Sequence, residues 1–485
     1  MKYFYIIFIF FLISCGNSVD QKSPVQLSSA EQVSPLIHEA MSNNAVGSGA
    51  NGRLLPSDIY QHYNIPLTNG VPTYSSGQTI AIVDAPGTNS ISTIVSDLNQ
   101  FTSSYGPKSS QCANPSSSGN KTIYTCNGFN FTIINLNTDV ANQSSSWDGE
   151  TALDVQWSHA LAPDANLILV IGNSSSNSNL ATAIDTAASQ PGVSAVSMSF
   201  GHYESSTSET SLNYSSTSIS QNDGLFSHWT AKGIVFLASS GDGGNTRLYP
   251  AASPFVTSVG GTYIQNLTAL NPALSSPTNP LTQSSYEAVW RTDTGQTVIG
   301  SGGGSSLYEP MPSYQTNFLN TSLAGNLSSS VVGSTYYRAI PDVSYNASTT
   351  TSPVTTVVGG VIKGVGGTSA GAPQWAGIVA QMADYYSRLP SAVPSTFTLK
   401  MANTTKYPFG FNSYLYTAYS SISSTAPFFD VTVGNNVTGA SPNTGFQALG
   451  VFPCSTLCSA ASGYDSATGL GVPIVKNLLS TLLSN

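Results

Sequence analysis

The chain has 485 residues, 40% of them hydrophobic and only 8% charged, with a formal net charge of −9. That length supports one large core or two domains, and the shortage of cations excludes nucleic-acid binding, which relies on Lys and Arg to neutralise phosphates. With 14 Lys and Arg and 5 His, little positive charge accumulates when carboxylates protonate, so self-repulsion in acid stays small; the composition suits an acidic milieu, and equally a bland low-charge exported surface.

The N-terminus, MKYFYIIFIFFLISCGNS, sets one lysine before an apolar run too short to span a bilayer comfortably. Residues 1–14 are therefore expected to be an export signal. Leu12-Ile13-Ser14-Cys15 is similar to a bacterial lipobox, in which the cysteine is lipidated and becomes the new N-terminus. An ordinary signal peptide that contains a cysteine is the alternative, and many Asn-x-Ser/Thr triplets leave a glycosylated eukaryotic chain open. The expected location is exported, as a cell-envelope lipoprotein or a secreted protein, with membrane attachment only through Cys15. Residues 15–50 are polar and patternless and read as a tether. The remainder, 51–485, reads as one continuous domain, expected to be a monomer.

Within it, TIAIVDAPG (79–87), NLILVIG (166–172), AVSMSFG (195–201) and GIVFLASSGDGG (233–244) are aliphatic runs that end in small or polar residues, the pattern of buried parallel strands. Helical patterns separate them, as in GETALDVQWSHAL (149–161) and NLATAIDTAAS (179–189). The expected fold is α/β, a doubly wound and mostly parallel sheet with helices on both faces and reactive groups at the carboxyl ends of the strands. Past Cys15 stand Cys112, Cys126, Cys454 and Cys458. An even number in an exported chain favours disulfides; of three pairings, proximity favours Cys112–Cys126, worth about 3 kcal/mol in the chain-entropy model, and Cys454–Cys458.

GGTSAGAP (366–373) presents Ser369 as many hydrolases present a nucleophile, among small residues at the start of a buried helix. A serine hydroxyl needs a neighbouring base. Subtilisin-type proteases take a histidine from a His-Gly-Thr-His stretch, which this chain lacks: His38 falls in the tether, and His62, His159, His202 and His228 stand alone and read as structural or surface residues. The helix at that place carries Glu150 and Asp154 instead, four residues apart and so on one face, among Ala, Leu, Val and Trp. Two desolvated carboxylates repel strongly unless they share a proton or serve chemistry. In LASSGDGG (237–244), Asp242 stands where subtilisins place an oxyanion-hole asparagine; ionised it repels an oxyanion, protonated it donates to one. Read alone, the carboxylate pair is a solvated face and Asp242 an Asp-Gly turn.

Together these segments resemble the sedolisins, the serine-carboxyl peptidases on a subtilisin-like fold. The resemblance runs from about residue 52 to the C-terminus and includes GETALDVQWSHALAP, LASSGDGG with YPAASPFVTSVGGT (249–262), GSGGGSSLYEPMPSYQ (300–315), RAIPDVSYNA (338–347), GGTSAGAPQWAG (366–377) and GYDSATGLGVP (463–473). It implies Ser369 as nucleophile, Glu150 as general base and then acid, Asp154 as the group orienting Glu150, and Asp242 as oxyanion donor. A glutamate titrating near 4.3 matches work at about pH 3–5, where a histidine is fully protonated. The resemblance also implies polypeptide substrates paired along Ser199, Phe200 and Gly201, and one structural calcium ion held by Asp430 and Asp465 with carbonyls of Val431, Ala461 and Gly463. Endopeptidase activity is expected; a tripeptidyl-peptidase, or a non-catalytic surface lipoprotein on this fold, is the alternative. Two features depart from the family pattern. Only the short segment after Cys15 stands where many members have a long pro-segment, which puts zymogen control in doubt. Asp84 and Phe200 stand where members often have an acidic residue and a tryptophan that extend the hydrogen-bond network, and Phe cannot donate. Asp84 also resembles the subtilisin triad aspartate, the runner-up mechanism, for which no matching histidine exists.

Overall fold

The protein is represented by a computed structural model, which describes residues 33–40, 45–204, 216–270, 286–293, 298–332, 335–389, 397, 401–402, 405–419, 426–437 and 458–481. The expected signal, Cys15 and Cys454 lie outside the described residues. Two short strands come first, β1 (Ser34–Pro35) and β2 (His38–Glu39), followed by β3 (Thr79–Asp84), β4 (Asn130–Asn135), β5 (Asn166–Ile171), β6 (Val193–Met198), β7 (Phe200–Tyr203), β8 (Val235–Ser239), β9 (Val256–Ile264) and β10 (Val361–Gly366). The helices that matter for the site are α1 (Ile91–Ser104), α2 (Ser146–Leu161), α3 (Asn177–Ala188) and α4 (Gly371–Ser387).

The middle of the ten-stranded central sheet runs in the order β9-β8-β6-β3-β5-β4, with every neighbouring pair of these six parallel, and antiparallel strands are added at its edges. Successive side chains of a strand point to opposite faces, and here both faces are covered. Ile80, Ile82, Ala195 and Leu237 join the core beneath α1, α2 and α4. Ala81, Val83, Val196 and Phe236 join the core that holds Leu180, Ala183 and Ile184 of α3. This is why the strands read as unbroken aliphatic runs rather than alternating ones. The subtilisin-like doubly wound α/β expectation is met.

α2 is buried around its whole circumference from Glu150 to Leu161. Two of its polar side chains are tied to backbone: Trp157 Nε1 donates to the Thr355 carbonyl at 2.9 Å, and Gln156 closes two bonds with the backbone of Val357. α4 crosses it closely, since a Cβ on Gly377 would collide with Leu161. Gln381 Nε2 donates to the Leu161 carbonyl at 2.7 Å. The contact fixes the helix that carries Glu150 against the helix that follows Ser369.

The disulfide Cys112–Cys126 is present. The described part of the expected tether departs from that description. β1 pairs antiparallel with β7, Ser34 opposite Gly201 and Pro35 opposite Phe200, and β2 pairs antiparallel with β10, His38 opposite Gly366 and Glu39 opposite Val365. Residues 45–50 also pack on the body: Val46 N–H donates to the Thr351 carbonyl and Ser48 to the Asp58 carboxylate, each at 2.9 Å. No helix among the described residues is long and apolar enough to cross a membrane.

Candidate active site

The site lies at the carboxyl ends of β3, β6 and β8, as the crevice rule for open parallel sheets requires. β3 delivers Asp84, β6 runs into Ser199, and β8 runs through Ser239 to Asp242. Ser369 sits in a turn of 3₁₀ helix, Thr368–Ala370, directly before α4. Gly371 lets that helix start against the sheet, because a Cβ there would stand 2.7 Å from Val259 Cγ1.

Ser369 and Glu150, 219 residues apart in sequence, meet: the serine hydroxyl donates to Glu150 Oε2 at 3.1 Å, and both side chains are buried. Asp154 is one helical turn further, also buried, and its Oδ1 accepts the Ser199 hydroxyl at 2.8 Å. Glu150 Oε1 and Asp154 Oδ2 are buried acceptors to which no described residue donates. Burial, and next the charge of Asp84, push Glu150 well above the ordinary carboxyl range. Asp154 is pushed up by burial and by the charges of Asp84 and Glu150, and Asp84 rises to about 7 through burial. Three buried carboxyls whose charges act on one another titrate as a set.

Asp242 is 4% exposed. Its Oδ1 accepts from the Thr368 backbone N–H at 2.8 Å and from the Thr368 hydroxyl at 2.7 Å. Oδ2 therefore remains for another partner, and in this structure that partner is His38 Nε2 at 3.0 Å. Thr368 was not singled out from the sequence, although it is the neighbour of Ser369 in GGTSAG; it ties the Asp242 turn to the nucleophile turn. Gly367, at φ +113°, lies between them, and a Cβ there would collide with both the Asp242 carboxylate and the Leu36 carbonyl oxygen.

Ser199, Phe200 and Gly201 form the edge expected to pair with substrate, and β1 occupies that edge. Phe200 is buried with its ring 6.1 Å from that of Trp147, so a hydrophobic contact stands where the family network has a donor. The other histidines behave as structural groups. His62 pairs with Glu287 at 3.1 Å, burial lowers His159 to about 3 and His202 to about 4, and His228 packs edge-on against Trp229.

The expected calcium residues converge at a second place. Asp430 Oδ2 accepts from Gly463 N–H, and Asp465 accepts from the backbone of Ala461, Ala467 and Thr468, each at 2.9 Å. Burial raises Asp430 to about 8 and Asp465 to about 7, and Asp430 Oδ1 is buried with no donor from the described residues. Two carboxyls on loops rich in backbone carbonyls, one carboxyl oxygen still unsatisfied, fit a hard cation that takes six or more oxygens. No group of three His, Cys, Asp or Glu suited to a metal exists among the described residues.

Residues 140–414 match the family model described as Subtilase family, Peptidase_S8. The chain is 29% identical to kumamolisin of Bacillus sp. (strain MN-32) over 448 residues, covering 90% of this chain and 65% of that protein. It is 28% identical to physarolisin of Physarum polycephalum, covering 90% of this chain and 69% of that protein. The chain thus spans about two thirds of the length of these relatives. The solved structure of Pseudomonas sedolisin, a serine-carboxyl proteinase complexed with two molecules of pseudo-iodotyrostatin, superposes with a TM-score of 0.58 at 22% identity, covering 89% of this chain and 98% of that one; this likeness supports the fold. The match to the family model over more than half of the chain, with the relatives it brings, places the protein in the subtilase family, on its sedolisin and kumamolisin-like branch.

Proposed function

We propose that this chain is an exported, acid-acting serine-carboxyl endopeptidase that cleaves polypeptides through Ser369, Glu150 and Asp154. The Ser369–Glu150 hydrogen bond at the floor of a groove carries the reading. In the mechanism, Ser369 Oγ attacks the scissile carbonyl while its proton passes to Glu150, which then gives it to the leaving amine. Asp154 holds Glu150 through the shared-proton set, and water completes the cycle by hydrolysing the acyl-enzyme. Asp242, with Oδ1 engaged by Thr368, is left with Oδ2 to donate to the oxyanion once protonated. Endopeptidase action is favoured over removal of N-terminal tripeptides by the groove itself, which passes chain on both sides of Ser369 from Val33, whose N–H donates to the Ser175 carbonyl, to Ala40, whose N–H donates to the Gly364 carbonyl.

The test is casein hydrolysis between about pH 2.5 and 8, the range that brackets carboxyl and imidazole titration, for the wild type and Asp242→Asn. The wild type should work in acid and fall silent toward neutrality. The amide donates at every pH, so the variant should keep its activity further toward neutral. A wild-type optimum near pH 7 would remove the acid-acting reading, and identical profiles would remove Asp242 as the donor.

Asp430 and Asp465, with carbonyls of Val431, Ala461 and Gly463, are proposed to hold one structural Ca²⁺, which would offset the cost of two buried carboxylates. Chelation at neutral pH should lower the melting temperature, and added Ca²⁺ should restore it. In Asp465→Ala that response to chelator should vanish; a melting temperature indifferent to chelation in the wild type would refute the site.

A further inference from the structure

On the β7 side, the groove is walled by a helix, Ser216–Thr230, that shares a core with Phe200 and sets its Phe226 ring edge-on to Phe236 at 4.9 Å. Leu225 and Phe226 of this helix line a small apolar pocket with Leu180 and Ile184 of α3, Phe200 of β7, and Tyr249. Tyr249 stands opposite His202 in the strand beside β7. The helix is tethered there at Asp223. The Tyr249 hydroxyl donates to Asp223 Oδ1 at 2.8 Å, the Ser253 hydroxyl donates to the same carboxyl, and the Glu309 carboxyl is hydrogen-bonded to it. Glu309 lies in the strand Gly304–Pro310, and its N–H donates to Ser306 Oγ at 2.9 Å. That strand is in turn tied to Glu204, the residue after β7, whose two oxygens accept the Ser306 hydroxyl at 2.7 Å and the Leu307 N–H at 2.8 Å.

An ionised carboxylate has no hydrogen to donate, so two carboxyl groups bond each other only when one of them carries a proton. We propose that this proton is a clasp: shared by Asp223 and Glu309, it fastens the helix Ser216–Thr230 to the strand Gly304–Pro310 and so holds the wall of the groove in place in acid. When the proton leaves, two carboxylates face each other and the helix unfastens. The clasp stands on the fold alone; its effect on substrate rests on the peptidase reading above.

The surroundings favour the protonated pair. The titratable and charged groups that face it are Glu204, Arg338, Tyr249 and Tyr314. Glu204 is a third carboxyl, and Arg338, the cation among them, is committed to Asp342. Burial, and next the charge of Asp223, push Glu309 up to about 9, and burial raises Asp223 as well. A carboxyl raised in the closed state contributes stability that is whole below its open-state value, about 4.3 for a glutamate, and is lost as pH climbs through the closed-state value. Between those two values, each unit of pH should raise the opening constant of the helix about tenfold.

The experiment follows amide hydrogen exchange of the full chain, in its Ser369→Ala form, from about pH 5 to about pH 8, with the intrinsic exchange rate divided out. The amides of 223–230 should show an opening constant that grows about tenfold per pH unit. In Glu309→Gln on that background the amide donates to Asp223 at every pH, so the slope should vanish for these residues, while α2, governed by its own carboxyls, keeps its slope. In Glu309→Ala the helix should exchange faster already at the acid end. A change of less than about twofold over the whole range, an unaltered slope in Glu309→Gln, or unaltered protection in Glu309→Ala would overturn the clasp. With Ser369 intact, and on a peptide long enough to reach the pocket at Leu225 and Phe226, KM should rise with pH more steeply than in Glu309→Gln. Equal KM slopes would overturn the link to the groove. Absence of hydrolysis in every form would overturn the peptidase reading, and the exchange slopes would still decide the clasp.

Discussion

Ser369→Ala and Glu150→Gln are each expected to lower kcat on peptide substrates by about 10⁴-fold or more, because a nucleophile and its base act as one unit and the loss of either removes the covalent route. The two should not be additive: the double variant should be about as inactive as either single one. Glu150→Gln is the sharper test. It keeps the volume and one acceptor for the hydroxyl at 3.1 Å but cannot take up the proton, and it removes one charge from a buried set, so folding should be kept while turnover is lost. Steady-state kinetics on a peptide, with melting temperatures of the same samples, checks this. A Glu150→Gln enzyme within tenfold of wild type would sink the assignment of the base.

The second large effect concerns stability. Asp84 stands at about 7 in the folded protein and Glu309 at about 9, both chiefly through burial, and Glu150 and Asp154 are raised as well. A carboxyl whose folded value exceeds its unfolded one contributes stability that is whole below the unfolded value and lost as pH rises through the folded one. For Asp84 alone, moved from 3.8 to about 7, the loss is on the order of 4 kcal/mol. Two buried histidines act the other way: His159 at about 3 and His202 at about 4 contribute stability that is lost as pH falls below the free value of about 6.5. The sum places the most stable condition in mild acid, and the denaturant midpoint at pH 5 should exceed that at pH 8. An equal or higher midpoint at pH 8 would mean that the buried carboxyls find compensation not seen in their contacts.

The sheet was legible because its strands are buried on both faces and so carry aliphatic runs with abrupt polar ends, as in TIAIVDAPG. Glu150 and Asp154 were legible through helical spacing, and Asp242 through a polar residue at a strand end. Residues 33–40 were not. β1 and β2 are two residues each, too short for any periodicity, and their partners lie about 165 and 330 positions away in the sequence. His38 could be assigned a place only from the fold, because its sole signal was a histidine in a polar stretch. Thr368 was hidden for a different reason: it belongs to the nucleophile motif, and its second task, holding Asp242 by two hydrogen bonds, is invisible without the turn geometry.

The position of β1 between Cys15 and the catalytic body has a further result. While the chain is intact, the segment occupies the groove intramolecularly, at an effective concentration in the millimolar range, so contacts too weak for a free peptide suffice to hold it. A free polypeptide must therefore displace this segment to reach Ser369, and its own bulk concentration is set against that far higher effective one.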